Sequence, residues 1–218
     1  MGKWHDRDLG LQQAISRRDL LHGFGSLAMS VRSPILYTNV LLKNWRAWKQ
    51  IGVGAAIASG NYHPVVMLDY PVSFGGQKFP DDPEQPIVVH MERFPHVANA
   101  GIPPRQQRRL GRHELLATPF ETIERNIREQ LASLLSGGDF DPARDIAGIT
   151  VNRWAHGYSD GFYDLGDPWY GGENSERRPN VRGRKPFGRI AFANSDAGAN
   201  AMFETAVEQA HRAVEELQ

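Results

Sequence analysis

Val65-Val66-Met67-Leu68-Asp69-Tyr70 and Ile87-Val88-Val89-His90-Met91-Glu92 are the two runs whose reading decides the fold. Both are rich in β-branched and large apolar side chains. Between them stand Gly75-Gly76 and Pro80-Asp81-Asp82-Pro83, residues that favour turns and interrupt helices. Two such runs joined by a turn-rich excursion predict antiparallel strands. With helices before and after them, the class is α+β, an antiparallel sheet with helices.

Downstream, Thr118-Pro119-Phe120-Glu121 carries a helix start: Thr118 can accept from first-turn amides, Pro119 needs no donor there, and Glu121 can reach back to the cap. Phe120, Ile123, Ile127, Leu131 and Leu134 recur at steps of three or four, giving one apolar face. Gly137-Gly138 then supplies a left-handed stop near Ser136. Asp141-Pro142 repeats the cap-and-proline device for a brief turn, and Ile146 to Val151 reads as a buried strand. The stretch from Asp160 to Lys185, rich in Gly, Pro and charge, reads as a long surface loop. Phe187 to Asn194 reads as a short buried strand ending in the polar turn Ser195-Asp196. A continuous helix follows, with Ala199, Met202, Phe203, Ala206, Ala210 and Val214 on its apolar side.

Upstream, Asn39 to Gln50 place Val40, Leu41, Trp45 and Trp48 at mixed helical spacing and predict a short helix. Before it, Ser16-Arg17-Arg18-Asp19-Leu20-Leu21 precedes the small and apolar run Gly23 to Met29. That order is similar to a twin-arginine export signal, with Arg32 closing a short apolar region and no clear cleavage site behind it. The other reading is an amphipathic amino-terminal helix capped by Ser16. A working signal implies a periplasmic protein, and its failure a cytoplasmic one.

Composition removes several function classes. The 25 basic and 25 acidic side chains cancel, leaving no long-range positive field to gather nucleic acid or anionic lipid. Zero cysteines exclude disulfides, thiolate metal sites and cysteine nucleophiles. No run approaches the roughly 18 apolar residues of a membrane span. The histidines lack a helical H-x-x-x-H pair, so no metal is expected.

Strand, acidic turn and small-residue helix at Arg189 to Gly198 resemble the carboxy-terminal signature of the flavin amine oxidase superfamily. Within it, Ile149 to Tyr158, Arg189 to Ala197, Tyr37-Thr38-Asn39-Val40 with Asn44-Trp45-Arg46-Ala47, and Glu114 to Thr122 resemble segments of the spermidine dehydrogenase family. The likeness covers most of residues 34–218. It implies a signal-like or helical segment at 1–32, a substrate-domain-like region at 33–185, and the last strand and helix of an FAD-binding domain at 186–218. The implied activity is oxidation of a polyamine such as spermidine by hydride transfer to FAD, the cofactor carrying the difficult chemistry.

The resemblance implies site residues as well. Trp154, His156 and Tyr158 would lie near the flavin, where aromatic faces attract an ammonium; otherwise they are ordinary aromatics at a strand end. Asn194, Ser195, Asp196, Ala197 and Gly198 would bind the cofactor, Asp196 through ribityl hydroxyls or by ordering the turn, the small residues by allowing close approach; otherwise Asp196 simply caps a helix. Asp69, His90 and Glu92 could face a polyamine or form the wet side of a half-buried sheet.

The family's strand and G-x-G-x-x-G loop have no counterpart. Gly23-Phe24-Gly25 sits in the signal-like run. Gly52-Val53-Gly54 has Asp69 at about ribose-binding spacing, yet Ile57 replaces the third glycine and no strand precedes it. The chain is therefore expected to be incomplete and inactive alone. The alternative is a non-catalytic polyamine-binding protein, or one that pairs with a separate flavin-binding chain. Gly157-Tyr158-Ser159-Asp160-Gly161 matches G-x-S-x-G, but a loop-like sequence follows, and the one later histidine, His211, falls within the final helix. It is not read as a nucleophile elbow.

Overall fold

The computed structural model describes residues 32–69, 73–76, 78–97, 101–159, 171–172, 174–186 and 188–218. The signal-like segment before Arg32, Gly23-Phe24-Gly25 with it, and residues 160–170 of the expected loop lie outside them. Two compact units make up the described chain: Pro34–Ala100 with Gln107–Ala155, and Gly101–Gln106 with His156–Gln218, to which Arg32 and Ser33 also belong.

The first unit is built on a five-stranded antiparallel sheet: β1 (Ile35–Leu42), β2 (Ala55–Ile57), β3 (Val65–Leu68), β4 (Ile87–Arg93) and β5 (Ile146–Trp154), in the order β2-β3-β4-β1-β5. The expected pair is present as β3 and β4, with Val66 opposite Met91 and Met67 opposite His90. The interior strand β1, between β4 and β5, is not among the expected elements. Asn39 to Leu42 belong to it, and the helix foreseen from Asn39 is confined to α1 (Arg46–Ile51). Leu36, Thr38, Val40 and Leu42 are all buried, and this two-residue period outweighs the looser helical spacing that runs from Val40 into the tryptophans.

One face of the sheet is covered. Leu36, Val40, Leu42, Val66, Leu68, Val89 and Met91 form one cluster with Trp48 of α1 and with Ile123, Ile127 and Leu131. The last three lie on α3 (Phe120–Leu134), the apolar helix read from the sequence. Its ends are made differently than expected. Pro119 is the N-cap, and no side chain caps the helix. Thr118 instead donates its hydroxyl to the Glu114 carbonyl (2.7 Å), closing the end of α2 (Pro104–Ala117). At the other end Leu135 is the C-cap, and neither Gly137 nor Gly138 has positive φ. Gly138 is needed for proximity: a Cβ there would stand 2.9 Å from the Ala47 Cα of α1. The next device forms as read, Asp141 accepting from the Ala143 amide (2.8 Å) at the start of α4 (Pro142–Asp145), with β5 directly after it.

A buried polar knot ties this core together. His63 is fully buried, with Nε2 3.1 Å from the Thr38 hydroxyl, and Gln130 of α3 bonds both its backbone amide (2.9 Å) and its carbonyl (2.6 Å). Desolvation, reinforced by the nearby Arg93 guanidinium, lowers the imidazole's pKa to about 3, so the ring is neutral. Arg93 itself donates to the Tyr62 carbonyl (2.9 Å) and to Glu114 (2.6 Å) and lies over the Tyr62 ring. Burial is the main cause that raises the Tyr62 phenol's pKa.

The second unit departs further from expectation. Residues 188–194 form no strand; Ile190 makes an isolated bridge, and Arg189 and Ile190 are exposed. One bridge is not a ladder, and the Phe192 carbonyl accepts from Arg212 Nη2, a side chain of the closing helix, rather than from a neighbouring strand. The stretch read as loop up to Lys185 contains the helical turn α5 (Pro179–Gly183), with Pro179, Asn180, Val181 and Gly183 buried. The closing helix is broken in two, α6 (Ser195–Gly198) and α7 (Phe203–Glu215), at Ala199, whose φ of 52° is left-handed. The buried side of α7 is Thr205, Gln209 and Ala213, whereas Met202, Phe203 and Val214 are exposed. Of the apolar side read from the sequence, Ala199 is buried and Ala206 half-buried while the larger side chains are exposed, and Thr205, Gln209 and Ala213 make the contact with the rest of the unit.

Candidate functional site

The other face of the sheet gathers the polar and aromatic side chains. On β1, Tyr37 lies opposite Glu92 of β4 and Asn152 of β5, and Asn39 lies opposite His90 and Thr150. Paired residues of neighbouring strands point to the same side, so these six share one face. Val65 and Met67 of β3 continue the row beyond Glu92 and His90. Asp69 follows the same alternation, its amide held by the Val88 carbonyl (2.8 Å).

His90 is the hub. Its Nδ1 is 2.8 Å from Asn39 Oδ1, its Nε2 3.3 Å from Glu92 Oε1, and its ring 5.2 Å from that of Tyr37 at a tilt of 43°. Nε2–H donates to the carboxylate. The Asn39 amide can accept from an imidazolium or, turned over, donate to a neutral ring, so the partner set serves either charge state. His90 and Glu92 are half-buried, which strengthens their electrostatics relative to a fully wetted pair.

The sequence candidates are distributed as follows. His90 and Glu92 are brought together, and Asp69 joins their face. Glu92 pairs with Val65, four residues before Asp69, which sets the two carboxylates about 13 Å apart along the strand direction. Trp154 closes β5 opposite Ile35 and is 55% exposed on that same face. His156 and Tyr158 belong to the second unit and are exposed. Tyr37 and Asn39 were not singled out as site residues because their segment read as the approach to a helix. Large side chains on both faces of β1 blur its alternation, and it is the register against β4 that brings the two residues to His90 and Glu92.

The carboxy-terminal turn is a closed hydrogen-bonded unit. Asp196 is buried; its Oδ1 accepts from Arg32 Nε (3.0 Å) and from the Ser159 hydroxyl (2.6 Å), and its Oδ2 accepts from Arg32 Nη2. Ser159 also lies 3.1 Å from the Ser195 hydroxyl. Asn194 Oδ1 accepts from the Ala197 amide (3.0 Å). Of the cofactor candidates Asn194, Ser195, Asp196, Ala197 and Gly198, the two strongest acceptors are thus spent on the protein itself. Gly198 faces Thr205, whose methyl group a Cβ at Gly198 would overlap. As arranged, this turn does not fit the ribityl-binding role that the resemblance implies for it; Asp196 orders the turn. Ser159 is committed to a carboxylate and is no activated nucleophile. Gly52 is the left-handed C-cap of α1 and leads into β2, the reverse of the strand-to-helix order of a dinucleotide loop.

Among the described residues no group of three His, Asp or Glu side chains could hold a metal ion, and no helix is long and apolar enough to cross a membrane. No family model matches the chain, and no curated protein matches it. A solved structure to which it is similar is a putrescine oxidase double mutant from a structure-based redesign of that enzyme's cofactor binding. The match has a TM-score of 0.49 and 11% identity, covering 94% of this chain and 38% of that one.

Proposed function

We propose that the chain is an amine-binding module of the spermidine dehydrogenase type, which receives a polyamine on the open face of its sheet. The observation that carries this is the His90 cluster, a half-buried carboxylate beside an imidazole and the Tyr37 ring. Glu92 pairs with one ammonium, Tyr37 and Trp154 offer aromatic faces, and Asp69 meets a second ammonium further along the strand. Once Glu92 turns to the ligand and the ring proton is held at Nδ1 by the Asn39 Oδ1 acceptor, His90 presents a bare Nε2 that can take a proton from the amine, leaving the amine neutral.

FAD is the cofactor that the resemblance implies; it would accept the hydride from the carbon beside that nitrogen. Because Asp196 and Asn194 are engaged within their own turn, flavin binding requires groups beyond that turn, such as those of a separate flavin-binding chain. The chain alone is then a binder without turnover. The twin-arginine reading makes its compartment the periplasm.

Calorimetry with spermidine tests the proposal. Binding is expected, weakened about tenfold by Glu92→Gln, the loss of one charge-assisted contact. Absence of heat and of any thermal shift refutes the amine face. Protein mixed with FAD and desalted is expected to be colourless; a retained flavin spectrum would overturn the reading of the Asp196 turn.

A further inference from the structure

The carboxy-terminal unit contains a polar cavity that the amine reading does not use. It has a volume of about 350 Å³, within the range of small-molecule sites, and its walls include Arg178, Asn180, Arg184, Thr205, Glu208 and Gln209. Arg184 is fixed in the wall: Nη1 donates to the Ala197 carbonyl (3.2 Å) and to Gln209 Oε1 (3.5 Å), and Nη2 to Asn174 Oδ1 (3.1 Å). These acceptors are all neutral. The neighbouring Arg212 is balanced by Glu216, but Arg184 has no ion pair with a described carboxylate. Its pKa is lowered, first by desolvation and then by Arg212, with Glu216 acting in the opposite direction.

A second group asks for the opposite kind of partner. Asn180 is 3% exposed, and its Nδ2 donates to the Ala197 carbonyl (3.1 Å). A carbonyl can only accept, so the orientation of the amide is settled, and Oδ1 is left buried with no hydrogen-bond partner among the described residues. An unmet buried acceptor is costly and is relieved by a ligand that donates.

We infer that this cavity binds a small hydroxylated phosphomonoester of the sugar-phosphate kind, Arg178 and Arg184 meeting the phosphoryl group and a ligand hydroxyl donating to Asn180. A phosphomonoester carries about −1.5 to −2 charge and three acceptor oxygens, enough for two guanidiniums, whereas a carboxylate matches one fork. Glu208, on the exposed rim, opposes the anion and tunes its affinity. This inference does not depend on the amine proposal.

The test is calorimetry on the full chain with glycerol 3-phosphate, inorganic phosphate, lactate and glycerol. Glycerol 3-phosphate is expected to bind about tenfold more tightly than inorganic phosphate, and glycerol not at all. Arg184→Gln should abolish binding. Should that variant fail to fold, Glu208→Gln, at an exposed position, should tighten it about threefold through removal of a like charge. No binding of glycerol 3-phosphate, tighter binding of lactate, or an unchanged affinity in Glu208→Gln overturns the inference. Equal binding of inorganic phosphate overturns the role given to Asn180.

Discussion

Mild acid should destabilise the sheet unit through His63, a residue remote from any binding face. Its folded pKa of about 3 lies below the 6.5 of a free imidazole, so the unfolded chain takes up a proton that the folded one refuses. The stabilisation is complete above the unfolded value and is lost as pH falls from 6.5 toward 3. Between about pH 7.5 and about pH 5 the loss from this one group is about 2 kcal/mol, at 1.4 kcal/mol per unit. Carboxylates contribute little in that window, since the unfolded chain has barely begun to protonate them. The perturbation is His63→Gln, which keeps a polar side chain near the Thr38 hydroxyl but removes the titration. Urea unfolding followed by circular dichroism at both pH values measures it. The variant starts less stable, and its drop between the two pH values should be about 2 kcal/mol smaller than that of the unmodified chain. An equal drop in both proteins would refute a neutral, desolvated His63.

Further acidification brings in Asp145, whose carboxyl Arg144 holds at about 2 against an ordinary 3.8. It stabilises the fold above about pH 3.8 and loses that contribution toward pH 2, about 1 kcal/mol once the exposure of Arg144 is allowed for; Asp145→Asn should remove this limb of the acid titration. Gly111→Ala places a Cβ inside the Pro95 carbonyl, a backbone clash expected to cost about 3 kcal/mol, read as a fall in melting temperature. Arg32→Gln strips the guanidinium from a buried Asp196 and should destabilise the carboxy-terminal unit by about 2 kcal/mol, seen as faster hydrogen exchange at Ala197; an unchanged exchange rate would show that Ser159 suffices.

The parts of this fold visible in the sequence are those where one local rule acts alone. β3, β4, α3 and α4 show dense β-branched runs, a single apolar stripe, or a proline behind an aspartate. β1 concealed itself because both of its faces carry large side chains: Leu36, Val40 and Leu42 toward the core, Tyr37 and Leu41 toward the other side, so no clean alternation stands out. α2 has little apolar periodicity to find, since only Gly111 and Leu115 are buried along its described side chains. The terminal strand was read from composition, whereas a strand exists only when another pairs with it. For the site, His90 and Glu92 were legible as polar residues on a predicted strand. Asn39 and Tyr37 needed the register between β1 and β4, which is a tertiary fact. The tie between Asp196 and Arg32, far apart in the chain, was likewise out of reach of any local pattern.

β1 is bonded along its length to β4 on one edge and β5 on the other, with its alternate side chains sealed in the core. Tyr37 and Asn39 therefore stand on backbone that opens to solvent only when the whole unit does, and its amides should be among the slowest to exchange. A ligand arriving at this face meets groups already in position and loses little affinity to ordering them. The same anchoring limits adaptation. A one-residue slip of β1 would carry Tyr37 and Asn39 to the core side and Thr38 to the open side, and the irregularity between Leu41 and Leu42 helps hold the register against it. Variation in ligand preference is thus channelled to exchanges of side chain at fixed positions, and shifts of the strand itself are closed to it.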